Sequence, residues 1–178
     1  MKTLVVVAHP DLEKSTVNRR RVEELKKYPD LFTVHSVYGT YPDECIDVAR
    51  EQALIERHGA LVLQFPVYWF SCPSLLKKWM DQVLAFGWAF GPQPQADKMR
   101  DRKVALGVSA GIKREEFGPG TRHAHLLEEL MWPFEAMCRY VDAQYCGVHA
   151  LYGAEAGSIP AETLDADAQQ YVRFLREL

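Results

Sequence analysis

The chain has 178 residues with 24 Asp or Glu, 21 Lys or Arg and six His, which gives a formal net charge of −3 at pH 7. This length predicts a single domain over residues 1–178, and a composition of 48% hydrophobic and 25% charged residues excludes an intrinsically disordered chain. The charge argues against a nucleic-acid partner, which usually requires a basic surplus, and no apolar run approaches the ~20 residues of a membrane span.

Short apolar runs predict five β-strands. The first is rich in valine, and it ends at His9-Pro10 too early to be the apolar core of a signal peptide. Residues 38–46 contain Gly, Pro and Asp and are therefore predicted to form a loop. The strands are predicted over residues 3–8, 31–37, 60–65, 103–109 and 143–150.

Amphipathic stretches between and after these strands predict five helices. In the first, the arginine run at residues 19–21 is expected to face mostly outward as a solvated surface. A kink is expected in the fourth at Pro133. Residues 86–102 are too rich in Gly, Pro and aromatics to form one regular element. The helices are predicted over residues 16–27, 47–58, 74–84, 123–140 and 161–177.

This alternation of strands and helices predicts an α/β fold. A parallel sheet needs helices on both faces, and right-handed crossovers leave few strand orders. We expect a doubly wound five-stranded parallel sheet in the order 2-1-3-4-5. In that order the direction of winding reverses between strands 1 and 3, so the loops after strands 1, 3 and 4 should line a ligand crevice.

The four cysteines give no sign of a metal site. Cys45, Cys72, Cys138 and Cys146 form no C-x-x-C pair, and no histidine accompanies them at zinc-finger spacing. We therefore predict free, buried thiols, no metal, and a cytoplasmic location.

The loop after strand 1 is the first candidate binding segment. Ser15 stands where a helix N-cap is expected, so the free N–H groups of the first turn could bind an anion. Thr16 and Asn18 would add side-chain donors, and His9 a donor or a positive charge. The sequence lacks a dinucleotide fingerprint and a P-loop. Phosphate binding and a plain serine cap beside a solvated histidine both remain open.

The loop after strand 3 is aromatic. Tyr68, Trp69 and Phe70 follow one another between Pro66 and Pro73 at the mouth of the predicted crevice. They could form a rigid wall for a flat ring, or a hydrophobic lid over the core.

The loop after strand 4 combines glycines with basic side chains. Gly111, Gly118 and Gly120 allow close backbone approach to a ligand. Cationic side chains here could serve an anionic substrate, although single surface cations are commonly just solvated. The cations and histidines of this loop are Lys113, Arg114, Arg122, His123 and His125.

Read together, these segments resemble the flavodoxin-like NAD(P)H:quinone reductase family. The similar branch comprises bacterial NAD(P)H oxidoreductases and the ancillary proteins of glutathione-regulated potassium-efflux antiporters. The resemblance covers about residues 3–150 and is most specific over the run from Phe65 to Pro73 and the helix after it. Its other marks are His9-Pro10 with Ser15 and Asn18, Tyr41-Pro42-Asp43, Glu51-Gln52-Ala53-Leu54, Gly87-Trp88-Ala89-Phe90-Gly91 and Pro133-Phe134-Glu135.

The resemblance implies an FMN cofactor, with NADH or NADPH as hydride donor and a quinone or related electrophile as acceptor, in ping-pong fashion. It implies a homodimer to which residues 86–91 and the loop after strand 4 contribute. By position, the flavin phosphate would be held by His9, Ser15, Thr16, Val17 and Asn18. The ribityl chain and ring would lie against Pro66, Val67, Tyr68, Trp69 and Phe70, and the ring's pyrimidine edge would face Ser109, Ala110 and Gly111.

Two departures from the family pattern fall in the loop after strand 4. The family's Thr-Thr-Gly-Gly is here Ser109-Ala110-Gly111-Ile112. The family's active-site tyrosine is replaced by Phe117, and His123 matches the second polar group, so these two residues are the candidate catalytic positions. An alternative role follows: an ancillary regulatory subunit of a glutathione-gated potassium-efflux antiporter with weak or vestigial flavin activity, which would lie at the inner membrane through the transporter. A flavodoxin electron carrier fits poorly, since it would call for a Thr/Ser/Gly-rich phosphate loop.

Overall fold

A computed structural model of the protein describes residues 1–92, 96–155 and 159–178. Five strands and seven helices form within these residues. The strands are β1 (Thr3–Val7), β2 (Phe32–Ser36), β3 (Ala60–Pro66), β4 (Lys103–Ser109) and β5 (Gln144–Leu151). The helices are α1 (Thr16–Leu25), α2 (Val37–Thr40), α3 (Val48–Glu56), α4 (Ser74–Val83), α5 (Leu127–Leu130), α6 (Trp132–Tyr140) and α7 (Ala161–Arg176).

The strands form one parallel sheet in the order β2-β1-β3-β4-β5, which confirms the predicted fold. Side chains alternate across it, as strand geometry requires. On β1, Leu4 and Val6 join the core shared with α3, α4 and α6, whereas Val5 and Val7 join the core shared with α1 and α7. Both faces of the sheet are therefore covered, and every residue of β3 is buried. The carboxyl ends of β1, β3 and β4 meet at one edge.

The predicted helix over residues 123–140 is wrong in its first part and in its continuity. Helix starts only at Leu127, and the chain breaks at Met131 into α5 and α6. Pro133 is the reason for the second start, because a residue without an N–H is tolerated in a first helical turn but not inside a helix.

Short helical turns also interrupt three predicted loops. In the segment 38–46, residues 38–40 belong to α2, which begins at Val37. The Ser36 hydroxyl caps this helix by accepting a hydrogen bond from the Gly39 N–H at 3.2 Å. Single 3₁₀ turns lie at Leu12–Lys14 and Arg114–Glu116. The segment 86–102 is irregular as predicted in its described part, and residues 93–95 lie outside the described residues.

The arginine run on α1 is not a uniformly solvated face. Arg21 is fully buried and donates to both carboxylate oxygens of Asp167 on α7, at 2.7 and 2.9 Å, and to the carbonyl of Val108 at 3.0 Å. Burial alone would raise the pKa of Asp167, but its hydrogen bonds to His149 and Arg21 lower it to about 2. The pair fixes α1, which carries the first loop of the crevice, against α7 and β4.

A second buried polar group lies on the opposite face of the sheet. The Glu51 carboxylate on α3 is fully buried and accepts hydrogen bonds from the Tyr41 hydroxyl at 2.6 Å and from the Trp79 indole N–H at 2.8 Å. Two of the family-like positions, Tyr41 and Glu51, thus join the loop after α2 to α3 and α4. Tyr41 and Glu51 therefore stabilise the packing of these elements on this face of the sheet.

The cysteines are free, as predicted, but Cys45 is exposed and only Cys138 is fully buried, so the prediction of four buried thiols is wrong. Within the described residues, no helix is long and apolar enough to cross a membrane. In the same residues no three His, Cys, Asp or Glu side chains group together as a metal site would require.

Candidate functional site

A crevice opens where the loops after β1, β3 and β4 meet. It has three adjoining parts of about 360, 300 and 330 Å³, and Gly111 and Glu155 line all of them. The helix part lies at the start of α1 and is lined by His9, Ser15, Thr16 and Val17 among others. The aromatic part is lined by Val67, Trp69, Phe70, Ala110, Ile112 and Phe117. The charged part is lined by Lys113, Glu116, Arg122, His123 and Gly153.

The structure brings together almost all of the predicted site residues. Pro66, Tyr68 and Ser109 also line the helix part, so every predicted residue except Asn18 lines one of the three parts. Asn18 is only 1% exposed and lies behind the crevice wall.

The helix part has the character of an anion site. The Ser15 hydroxyl caps α1 by accepting from the Asn18 N–H at 3.1 Å. The N–H groups of Thr16 and Val17 have no acceptor among the described residues, as expected for the first turn of a helix. These free donors and the positive end of the helix dipole favour a negatively charged group.

His9 contributes a donor to the helix part. Its Nδ1 accepts a hydrogen bond from the Asp11 N–H at 3.1 Å, which requires an unprotonated Nδ1. Burial lowers the pKa of His9 below its usual value and outweighs the opposing effect of Asp11, so the ring is neutral near pH 7. The Nε2–H is then a neutral donor. Of the two roles expected from the sequence, this geometry favours the donor over the positive charge.

Asn18 joins two of the crevice loops. Its Nδ2 donates to the Ser15 hydroxyl oxygen at 3.3 Å and to the Ser109 hydroxyl oxygen at 3.0 Å. Because the side chain is buried, it acts through these two hydroxyl groups, both of which line the helix part.

The aromatic loop forms a tight turn. The N–H of Tyr68 donates to the carbonyl of Ser71 and the reverse bond also forms, both at 3.0 Å. The two residues between them, Trp69 and Phe70, have φ values of 49° and 62°, the left-handed region in which a side chain is unfavourable. Their N–H groups have no acceptor among the described residues. Strained backbone of this kind concentrates at functional sites.

The candidate catalytic positions lie side by side. Phe117 is buried at 7% exposure, with its ring 5.4 Å from that of His123 and 5.7 Å from that of Tyr152. The His123 ring also lies 5.5 Å from that of Phe70. His123 therefore sits between the aromatic part and the charged part of the crevice.

The basic residues of the loop after β4 do not all reach the crevice. Lys113 and Arg122 line its charged part, together with the carboxylates of Glu116 and Glu155. Arg114 instead lies over the Tyr152 ring at 5.4 Å, and His125 lies 3.3 Å from Glu129. The expectation that Arg114 and His125 serve a bound anion is therefore not supported by their positions.

Sequence reasoning missed two residues of this region. Glu155 lines all three parts of the crevice, but it follows a predicted strand with no motif around it. Gln64 contacts Asn18 from β3, and here a signal was present, because it is the one polar residue in the run Ala60–Pro66.

A parallel sheet of this strand order, with a crevice where its winding reverses, defines a protein of the flavodoxin-like class. The sequence model of the family described as Flavodoxin-like fold matches residues 1–175, and the chain belongs to this family.

Curated relatives match nearly the whole chain. General stress protein 14 of Bacillus subtilis (strain 168) is 39% identical over 177 residues, 99% of this chain and 98% of that protein. The uncharacterized NAD(P)H oxidoreductase YrkL of the same strain is 37% identical over 176 residues, 99% of this chain and 98% of that protein. The glutathione-regulated potassium-efflux system ancillary protein KefG of Cronobacter sakazakii (strain ATCC BAA-894) is 36% identical over 141 residues, 78% of this chain and 75% of that protein.

Solved structures agree on the fold and differ in the activities they are named for. General stress protein 14 of Treponema denticola, solved in complex with FMN, superposes with a TM-score of 0.93 at 38% identity, covering 99% of both chains. A structure described as a thermophilic tryptophan halogenase from Streptomycin violaceusniger gives 0.90 at 38% identity, covering 97% of both chains. An NADPH-quinone reductase from P.pentosaceus gives 0.85 at 26% identity, covering 99% of this chain and 97% of that one. The substrate must therefore be argued from the site.

Proposed function

We propose that the protein is an FMN-dependent NAD(P)H oxidoreductase that reduces quinones or related electrophiles by two-electron hydride transfer. The observation that carries this proposal is the crevice itself, in which a helix N-terminus with free donors leads directly into an aromatic-walled space. FMN has the matching order of groups, because an anionic phosphate at one end is joined to a flat ring system at the other.

The residues of the crevice fit FMN group by group. The free N–H groups of Thr16 and Val17, the Ser15 hydroxyl and the neutral donor of His9 would hold the phosphate. The aromatic turn and the Ala110-Gly111 segment would hold the ring in the space between them. The uncommitted N–H groups of Trp69 and Phe70 are suited to the polar acceptors on a flavin ring edge.

When bound, FMN supplies the hydride chemistry, and the protein supplies binding and orientation. Phe117 and His123 would form the wall against which a nicotinamide or a quinone ring stacks beside the flavin. Since one crevice would accommodate donor and acceptor in turn, we expect ping-pong kinetics. Phe117 has no hydroxyl, so His123 is the group of this pair able to donate a hydrogen bond to the substrate.

The charged part of the crevice would hold the phosphates of the nicotinamide donor. Lys113 and Arg122 line it, and neither forms an ion pair with another described residue. The carboxylates of Glu116 and Glu155 oppose this attraction, so recognition would depend on the placement of the two cations.

Initial-rate kinetics of the FMN-loaded protein test this function. NADPH or NADH oxidation is followed at a series of fixed concentrations of a simple quinone. The proposal predicts turnover that requires FMN and double-reciprocal plots that are parallel. Intersecting plots would reject the shared crevice, and absence of FMN-dependent turnover would reject the enzyme assignment.

We also propose that the chain works as a homodimer. Phe86 is 70% exposed and Tyr140 is 71% exposed, and their rings pack on either side of Phe90 at 5.8 and 5.3 Å. Beside them is an apolar cavity of about 430 Å³ that extends to Ser71 of the aromatic turn. Sedimentation of the wild type and of Phe86→Lys should give a dimer and a monomer, respectively. If the wild type and the variant both sediment as monomers, the homodimer proposal is contradicted.

A second role rests on the relatives named KefG. We propose that a chain of this kind could bind the cytoplasmic part of a potassium-efflux antiporter as an ancillary subunit, in addition to its flavin chemistry. Co-purification with such an antiporter would support this role, and no association at micromolar concentrations would argue against it.

A further inference from the structure

Gln64 is a polar side chain in the middle of an apolar strand. It lies on β3, the central strand of the sheet, and is fully buried. Burying an amide costs stability unless it is hydrogen-bonded. Its Nε2 donates to the backbone carbonyl of Asn18 at 3.1 Å and to the Asn18 Oδ1 at 3.3 Å. Its Oε1 has no partner among the described residues, so this amide is only half satisfied.

These contacts determine which way both amides face. A backbone carbonyl can only accept, so Gln64 must turn its NH₂ toward Asn18. The same NH₂ then requires the Oδ1 of Asn18 to face Gln64. The Nδ2 of Asn18 must consequently point the other way, where it meets the hydroxyl oxygens of Ser15 and Ser109.

The orientation of the Asn18 amide determines where the hydroxyl protons of Ser15 and Ser109 can point. Each hydroxyl oxygen accepts from Asn18, so the proton of each hydroxyl is directed elsewhere. Both serines line the helix part of the crevice. Their protons are therefore available to a ligand bound there, beside the free N–H groups of α1.

We propose that Gln64 is a positioning residue for the cofactor, which holds Asn18 so that Ser15 and Ser109 act as hydrogen-bond donors to the part of the ligand bound in the helix part of the crevice. For Ser109 this position replaces the pyrimidine edge of the ring that the sequence led us to expect. This inference rests on the proposed function, in which that ligand is FMN. Gln64 itself lies behind the crevice and does not line it.

The substitution Gln64→Glu tests the proposal, because it keeps the shape and removes the donor. A carboxylate facing the two oxygens of Asn18 repels them and forces the amide to turn. The FMN dissociation constant is measured by quenching of flavin fluorescence. We expect it to rise at least about tenfold at about pH 9.5, because this pH lies above the pKa of about 8–9 that burial can give a glutamate carboxyl and the introduced group is then ionised.

The pH dependence separates positioning from packing. At about pH 5 the introduced carboxyl is protonated, because burial favours its neutral form, and it can again donate to Asn18. The ratio of variant to wild-type dissociation constants should therefore fall toward one as the pH is lowered. Taking the ratio at each pH cancels the titration of the FMN phosphate, which is common to both proteins.

Among the titratable and charged groups on this face of the sheet are Tyr171, whose hydroxyl lies against Gly107 beside Gln64, and the pair of Arg21 and Asp167. The raised pKa of Tyr171 and the lowered pKa of Asp167, about 2, keep both from titrating between about pH 5 and about pH 9.5.

Gln52→Glu is the matched control. The Gln52 Nε2 donates to a backbone carbonyl, that of Val83, at 2.9 Å, but it joins α3 to α4 away from the crevice. This variant should bind FMN like the wild type at every pH. If Gln64→Glu does not fold, Gln64→Met replaces it, and it should bind FMN more weakly by a factor that does not change with pH.

Failure of the proposed function and failure of the role of Gln64 give different results in these measurements. A wild-type chain that binds no FMN overturns the proposed function and this inference with it. A wild type that binds FMN overturns the role of Gln64 alone if Gln64→Glu binds within about twofold of it at about pH 9.5, or if the Gln64→Glu ratio does not change with pH. Where Gln64→Met is used instead, binding within about twofold of the wild type has the same meaning.

Discussion

The strained aromatic turn gives opposite predictions for stability and for cofactor binding. Trp69 has a φ of 49° and its side chain is 94% exposed, so the indole adds almost nothing to the core. If the strain exists to present the turn to a ligand, then relieving it should stabilise the protein without the ligand. We compare Trp69→Gly with Trp69→Ala, which removes the indole and keeps the strain.

The magnitude follows from two opposing contributions. A residue with a Cβ costs about 1–2 kcal/mol in the left-handed region, and this cost disappears with glycine. Glycine loses about 0.5–1 kcal/mol more conformational entropy on folding. The net expectation is that Trp69→Gly is more stable than Trp69→Ala by about 0.5–1 kcal/mol. For a chain of this size that corresponds to a melting temperature higher by about 2 °C.

Both variants should bind FMN more weakly than the wild type, because both lack one wall of the aromatic part. Loss of an aromatic contact of about 1 kcal/mol weakens binding about fivefold. Thermal melts without FMN and fluorescence titrations with FMN measure the two quantities. If Trp69→Gly is no more stable than Trp69→Ala, the turn is not strained. If both bind FMN like the wild type, the turn is not part of the binding site.

Three further predictions concern the core, the ring wall and the charged part of the crevice. Asp167→Asn should destabilise the protein by about 3 kcal/mol in urea unfolding, because it leaves the buried charge of Arg21 without its partner. In the wild type, the lowered pKa of Asp167 means that its contribution is present above about pH 4 and is lost as the pH falls toward about 2. Phe117→Tyr should raise quinone turnover if this position stands for the family's tyrosine, and an unchanged kcat would refute that correspondence. Lys113→Ala combined with Arg122→Ala should raise the KM for NADPH about tenfold but leave that for a neutral dihydronicotinamide unchanged; equal effects on both donors would contradict a phosphate site.

The sequence was sufficient for the sheet and for the position of the crevice. Strand order follows from the alternation of strands and helices and from the handedness of crossovers, which are global rules. The start of α1 was also predictable, because Ser15 stands at a cap position before an amphipathic run. Boundaries were harder where tertiary packing competes with local pattern, as at Met131, where one predicted helix is divided into two.

The residues that escaped prediction depend on contacts distant in sequence. Arg21 is buried because Asp167, 146 positions later, faces it, and nothing in the local arginine run distinguishes Arg21 from its neighbours. Asn18 was expected to point into the crevice, but its two serine partners turn it behind the wall. Such pairings are properties of the folded arrangement and cannot be read from helical periodicity.

The central claim is that the crevice binds FMN and exposes it to a nicotinamide donor and a quinone. The most direct measurement is the visible absorbance spectrum of the purified protein after FMN is added and unbound FMN removed, under anaerobic conditions. The account predicts a retained flavin spectrum that bleaches when NADPH or NADH is added and returns when a quinone follows. A protein that retains no flavin, or a bound flavin that neither donor bleaches, would contradict it.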